Sequence, residues 1–220
     1  FTSNKDAAAR AIKRTRTGQS TKLFDAVFLG MEQVRPRTYR KVMVVFSDGI
    51  DTTSSDSSQG ETIQVAKEAE TTIYSIQFDT RNQMLMPQLG PITTPGTIPG
   101  RSPIPLGIPT PLPGPMPGGG RGPSRSQVEA EYGRGRAYLK QLASVTGGEL
   151  YQAGQDLLNL STIFAQIAEE MRSLYSISYV SSNSKRNGKF RKIAVKVDVS
   201  DARTRTRKGY RAAKDRNHSR

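Results

Sequence analysis

The residues best suited to chemistry in this 220-residue chain are oxygen donors placed at two points. Asp48 stands just beyond the apolar run Val42-Met-Val-Val-Phe46, after Ser47 and before Gly49. Ser20 and Thr21 stand before a pattern in which Leu23, Val27, Met31 and Val34 recur at helical spacing. A carboxylate and two hydroxyls are hard oxygen ligands of the kind Mg2+ accepts, usually with several waters retained. The plainer use of the same residues is structural. Ser20 or Thr21 can cap the helix that follows, and Asp48 can cap the next one.

Elements must hold these donors in place. The unbroken run Val42–Phe46 reads as a strand buried on both faces, hence a central parallel strand. Asp48 then lies at the carboxyl end of that strand, the edge at which open α/β sheets bind ligands. Gly49 permits a sharp turn there. The spacing predicts helices over 6–13, with Ser3 or Asn4 as cap, and over 23–34, stopped by Pro36. Residues 50–60 form a Ser/Asp/Thr loop without periodicity. Further helices are expected over 62–70, over 130–145 ended by Gly147-Gly148, and over 157–174. The last carries Leu160, Phe164, Ile167, Met171 and Leu174 on one face. Strands are expected over 41–46, 72–78 and 149–152. This order predicts an α/β fold with a parallel sheet, helices on both faces and right-handed crossovers. The alternation of Tyr175, Ile177 and Tyr179, the Asn187-Gly188 turn, and Ile193 to Val199 predict antiparallel strands. With 203–210 they would make a three-stranded meander.

Taken in order, these pieces resemble a known family. Thr21-x-Leu-Phe-Asp-Ala, then the apolar strand with Ser-Asp-Gly-x-Asp, is similar to the second half of a von Willebrand factor type A domain. Leu139-x-x-Leu-Ala-x-x-Thr-Gly-Gly148 resembles the segment before that family's last sheet strand. The segments 167–179, 188–193 and 207–210 resemble a related subgroup abundant in acidobacteria. The resemblance implies a partial doubly wound, Rossmann-like parallel sheet with a C-terminal antiparallel meander. It implies a type A core over 1–86 and 124–174, interrupted by an insertion over 87–123. A basic β appendage over 175–211 and a disordered tail over 212–220 would follow.

The family's metal-ion-dependent adhesion site is built from three loops, supplying Asp-x-Ser-x-Ser, a Thr and an Asp. Thr21 matches the second position and Asp48 the third, with Ser20 as a further donor. No Asp-x-Ser-x-Ser precedes Thr21. The expectation is therefore a piece of the domain that starts after the third strand. It would bind Mg2+ or another divalent cation only with the upstream motif present. The resemblance further implies a protein partner that offers a carboxylate, and a secreted or periplasmic setting.

Composition narrows the classes. There is no cysteine, which rules out disulfides and thiolate chemistry. No stretch approaches the roughly 20 apolar residues of a membrane helix. Residues 87–123 are almost all Pro, Gly, Ile, Leu, Thr and Ser, and read as an extended insertion. They are expected to be mobile and dispensable to stability. Their Pro-x-Pro turns could also serve a proline-recognising module. The net charge of +14 is concentrated at the end of the chain. Residues 184–220 hold 14 Lys and Arg against Asp198, Asp201 and Asp215, a net of +11, which leaves +3 for the rest.

Arg203, Arg205 and Arg207 with Lys208 could form an anion-binding stripe. This makes an electrostatic binder of nucleic acid or an anionic surface the alternative reading. Few aromatics are interleaved with the stripe, which weighs against nucleic acid. An enzyme is not expected. Asp48 and Asp51 are three positions apart, where aspartate-based phosphohydrolases need two. The only histidine is His218, and no Gly-x-x-x-x-Gly-Lys-Ser/Thr loop occurs.

Overall fold

The computed structural model describes residues 2–16, 18, 20–85, 123–175, 177, 179–200 and 204–212. The segment 87–122 of the expected insertion lies outside them, as does Arg203. Eleven elements follow in chain order. Helix α1 covers Lys5–Lys13 and α2 covers Leu23–Val34. Strand β1 covers Lys41–Ser47, α3 Gln59–Glu68, β2 Thr71–Phe78 and the short α4 Arg81–Leu85. Helix α5 covers Arg125–Thr146, β3 Leu150–Ala153 and α6 Leu160–Ser173. Strands β4, Phe190–Lys192, and β5, Gly209–Arg211, form a separate antiparallel pair.

The three main strands are parallel neighbours in the order β1-β2-β3, in register Lys41 with Thr71 and Ser75 with Leu150. One face of the sheet packs under α2, α3 and α5. There Met43, Val45, Ile73 and Leu150 meet Val27, Ile63, Leu139 and Leu142. The other face packs under α6, where Tyr74, Ile76 and Ala153 meet Ile163 and Ile167. Helices on both faces of a parallel sheet are the layered α/β arrangement expected from the element order.

The position of β1 corrects the sequence reading. Among the described residues β1 is an edge strand, not a central one. Val45 and Ser47 are buried, whereas Val44 and Phe46 on the other face are 38% and 43% exposed. Helix α6 lies over β2 and β3 and leaves that part of β1 open. The strand buried on both faces is β2, although its sequence alternates polar residues. Ser75 and Gln77 are fully buried there.

Caps explain most element boundaries. Asn4 accepts from the Ala7 N–H at 3.0 Å. Ser58 forms a capping box with Glu61, and Ser124 forms one with Gln127. The second box starts α5 five residues before the expected position. At the other end of α5, Gly147 adopts φ +83° and donates to the Ala143 carbonyl. Helix α6 begins three residues later than its apolar pattern suggested. Its buried stripe is Ile163 and Ile167, and Phe164 and Met171 are 45% and 36% exposed.

The expected three-stranded meander is also corrected. Gly188 does turn with φ +69°, but among the described residues the ladder behind it is β4 with β5. Ile193 N–H to Lys208 O and Ala212 N–H to Lys189 O extend that ladder by one bond at each end. Val195, Val197 and Val199 alternate in sequence without joining it, and Val197 and Val199 are exposed. Alternation alone does not make a strand where no second strand supplies the hydrogen bonds.

Candidate functional site at the carboxyl edge of the sheet

Asp48 leaves the carboxyl end of β1 in a turn fixed from three sides. Its Oδ1 accepts the Ile50 N–H at 3.0 Å, and its Oδ2 accepts the Thr80 hydroxyl at 3.0 Å. Its carbonyl accepts Gln77 Nε2 at 2.8 Å. The buried Gln77 amide also reaches the Tyr132 carbonyl at 3.3 Å, which ties β1, β2 and α5 together. Gly49 takes φ +90° against the backbone of Gly135. A Cβ added at Gly135 would lie 2.7 Å from the Gly49 carbonyl carbon. This close approach is why a helix interior carries glycine at that point.

The loop of Ser20 and Thr21 is stitched to the loop after Asp48. The Thr21 N–H donates to Thr52 Oγ1 at 2.8 Å, and the Thr52 N–H returns to the Thr21 carbonyl at 2.9 Å. The side chains of Ser20 and Thr21 are exposed, and their hydroxyls bond no other described residue. Neither caps α2. Lys22 occupies the cap position without a side-chain bond. The cap comes from Asp51, whose Oδ1 accepts the Phe24 N–H at 3.1 Å. Asp48 caps no helix either, since α3 starts at its own Ser58 box.

Two carboxylates to which the sequence reading gave no capping or ligand role, Asp51 and Asp25, therefore organise this edge. Asp51 also holds Ser54 through both its N–H and its hydroxyl. Asp25, in the first turn of α2, accepts the N–H groups of Ser55, Asp56 and Ser57 at 3.1, 3.1 and 2.8 Å. Burial alone would raise both carboxyl pKa values. For Asp25 the three backbone donors outweigh it, and for Asp51 the Ser54 hydroxyl and backbone donors do. Both end below the ordinary carboxylate range. The one signal for this clasp was the density of Ser, Thr and Asp between 51 and 58.

A neighbouring cavity of about 510 Å³ opens beyond β2 and β3. Asp79, Arg81, Glu129, Tyr132 and Arg136 line it, with Gly133 on its helical wall. Arg81 bridges Asp79 at 2.8 Å and Glu129 at 2.9 Å, and stands 4.8 Å from the Tyr132 ring centre. Hydrogen bonding from Arg81 holds the Asp79 carboxyl well below its usual range. The charges of Asp79, Arg81 and Glu129 are thus largely satisfied among themselves.

A carboxyl group whose folded pKa is depressed contributes stability above its unfolded pKa and loses it as pH falls through the folded value. Asp25, Asp51 and Asp79 all have that sign. The melting temperature should therefore be flat near neutrality and fall below about pH 4. Asp51→Asn should lower it at pH 7 and shrink the difference between pH 7 and pH 3. An unchanged acid limb in that variant would remove Asp51 from this account.

Of the expected stripe 203–208, the described arginines are each engaged separately. Arg205 turns onto the domain, pairs with both Glu149 and Glu170, and lies 5.9 Å from the Tyr74 ring centre. Arg207 Nε donates to the Gly209 carbonyl at 3.1 Å. Lys208 contributes its carbonyl to the ladder with Ile193. Arg205 has its charge answered in place, so it does not form a free stripe with Arg207 and Lys208.

Chain-wide comparison adds no relative. The chain matches no family model, no curated protein and no solved structure. No described helix is long and apolar enough to cross a membrane. Among the described residues no group of three or more His, Cys, Asp or Glu could hold a metal ion. Any cation here would rest on hydroxyls, one carboxylate and water.

Proposed function

We propose that this chain is a non-enzymatic protein-interaction module that works through a divalent-cation-dependent adhesion site of the von Willebrand type A kind. The observation that carries the reading is the stitching of Thr21 to Thr52 at the carboxyl edge. It ties the backbone of Thr21, whose side chain is exposed, to the loop that Asp48 opens. Thr21 and Asp48, with Ser20, would hold the cation. Their hydroxyl and carboxylate oxygens suit Mg2+ in type. Held there, the cation would supply a Lewis-acidic charge able to attract a partner's carboxylate. The chain's own contribution is a rigid oxygen frame. Asp48 is braced by Ile50 and Thr80, and the backbone of Thr21 is pinned by Thr52, so little ordering remains for the binding step.

Few protein ligands mean that Mg2+ must keep most of its water, which it sheds reluctantly. Calorimetric titration of this chain should show weak Mg2+ binding or none. A form carrying an Asp-x-Ser-x-Ser strand upstream should bind it. There Asp48→Ala should abolish chelator-sensitive partner binding and leave the circular dichroism spectrum intact. Tight binding by the present chain, or partner binding that survives Asp48→Ala, would overturn the reading. Loss of binding with salt but not with chelator would favour the electrostatic alternative instead.

A further inference from the structure

The C-terminal segment uses its arginines and its lysines differently. Arg191, Arg205, Arg207 and Arg211 all bond acceptors of this chain. Arg191 donates to Ser181 Oγ at 3.0 Å, to the Tyr210 hydroxyl at 3.3 Å, and to the carbonyls of Asn183 and Lys185. Arg211 reaches Glu68 at 3.1 Å and the Gly188 carbonyl at 3.0 Å. The lysines stay outside this network. Lys185, Lys189, Lys192, Lys196 and Lys208 are exposed, and among the described residues their ammonium groups meet no acceptor. Asp198 is the one carboxylate described between 175 and 212.

The same stretch exposes large apolar side chains. Val180 is 97% exposed, Ile177 72% and Val199 63%, and Tyr175, Tyr179 and Val197 are exposed with them. Arg191 shapes the loop that presents the first of these. Residues 179–185 fold over it, and Tyr179 meets Tyr210 edge-on with ring centres 6.3 Å apart. Val180 is thus held out between a tyrosine and Lys185. The position is also fixed. Arg211 binds the last residue of α3, and the backbone of Thr206 and Arg207 runs against Gly147, just before β3. The hairpin therefore sits at the amino ends of β2 and β3, at the opposite end of the sheet from the Asp48 turn.

Unpaired lysines alone would suit any polyanion. The aliphatic side chains among them decide between polyanions. They gain nothing from a phosphate backbone, whereas at a bilayer they leave water for the acyl boundary while lysines meet anionic headgroups. Tyrosine favours the same interface. We infer that residues 175–199, with the β4–β5 hairpin, form a docking surface for a bilayer that contains anionic lipid. The contact needs no cation, and it leaves the carboxyl edge of the sheet open.

The chain has no tryptophan, so Val180→Trp supplies a reporter without background. Vesicles of phosphatidylcholine with roughly one third phosphatidylserine are added in the presence of EDTA. Emission should shift to the blue and be quenched by bromine-labelled acyl chains. Leu158→Trp, exposed in the loop beyond β3, should do neither. Co-sedimentation of the unmodified chain with these vesicles should fall steeply as salt rises. Changing Lys185, Lys189 and Lys192 together to Gln should weaken binding by about 100-fold, because each lysine near such a surface is worth about fivefold. Val180→Ser should weaken it by about threefold or more and leave binding to a double-stranded oligonucleotide unchanged. Circular dichroism checks that each variant is folded. No binding to the anionic vesicles, or equal binding to vesicles of phosphatidylcholine alone, would overturn the inference. So would vesicle binding in which the Val180→Trp emission does not move, or tighter binding to the oligonucleotide than to the vesicles.

Discussion

Gly148→Ala should leave the sheet unable to close. A Cβ at this position would lie 1.9 Å from the Ile73 carbonyl oxygen and 2.6 Å from its carbon. Both atoms are backbone of the central strand, so no side chain can swing away. The surroundings cannot give either. One residue earlier than Gly147, Thr146 accepts the Ile73 N–H at 3.0 Å through its hydroxyl, and just after Gly148, Glu149 accepts the Ser75 N–H at 2.9 Å. The helix end and β3 are thus bonded to β2 on both sides of the glycine. Overpacking ordinarily costs 1–3 kcal/mol, and a clash with fixed backbone should exceed that, at about 4 kcal/mol or more. For a chain of this size the melting temperature should fall by about 10 °C or more, if the protein folds. Gly147→Ala is the comparison. It strains a left-handed cap and sets a Cβ 3.0 Å from the Arg207 backbone nitrogen, a milder approach than that at Gly148, and should cost about 1–2 kcal/mol. Equal melting temperatures for the two variants would refute the close approach.

Gly135→Ala should separate stability from site geometry. Alanine is the better helix former by about 1 kcal/mol, so propensity alone predicts a gain. The added Cβ would meet the Gly49 carbonyl carbon at 2.7 Å and its oxygen at 2.8 Å. Gly49 at φ +90° has no room to retreat, so α5 and the Asp48 turn must part. A net loss of about 2 kcal/mol is expected. The amide resonances of Ile50 and Thr80 should move, because both residues hold the Asp48 carboxylate. Gly133→Ala lies two positions away on the same helix, where an added Cβ meets nothing within 4 Å. It should stabilise the protein by about 0.5–1 kcal/mol and leave those resonances in place. If both variants stabilise, α5 does not press on the turn.

These two glycines also show what was legible beforehand. Gly147-Gly148 was readable as the stop of a helix, because a left-handed cap is a local demand. The clash that makes Gly148 indispensable is with a residue 75 positions away, and nothing local encodes it. The same division runs through the sheet. Parallel order followed from alternation of strands and helices, a property of the chain itself. Which strand is central depends on neighbours, and the apolar run of β1 misled where the polar-looking β2 was the buried one. At the site, Asp48 was legible because an apolar strand ends at it. Asp51 and Asp25 were not. Asp25 bonds N–H groups of a loop 30 or more positions away, and Asp51 caps a helix 27 positions back through the Phe24 N–H; backbone donors leave no mark in sequence. Arg205 was visible as charge, but its carboxylate partners, Glu149 and Glu170, lie 56 and 35 positions away.

The Asp51–Asp25 clasp has a consequence for motion. Helix α2 borrows its cap from the 51–57 loop, and that loop borrows its order from the first turn of α2. Neither can loosen alone without stranding the other's donors, which costs most at the part-buried Phe24 and Ser57 N–H groups. The pair therefore behaves as one hinged plate rather than two flaps. A load placed on the Thr21 loop would pass to Thr52 and to α2 together. From there it would reach Val27 and Met31, and so the core, rather than being absorbed in a single loop.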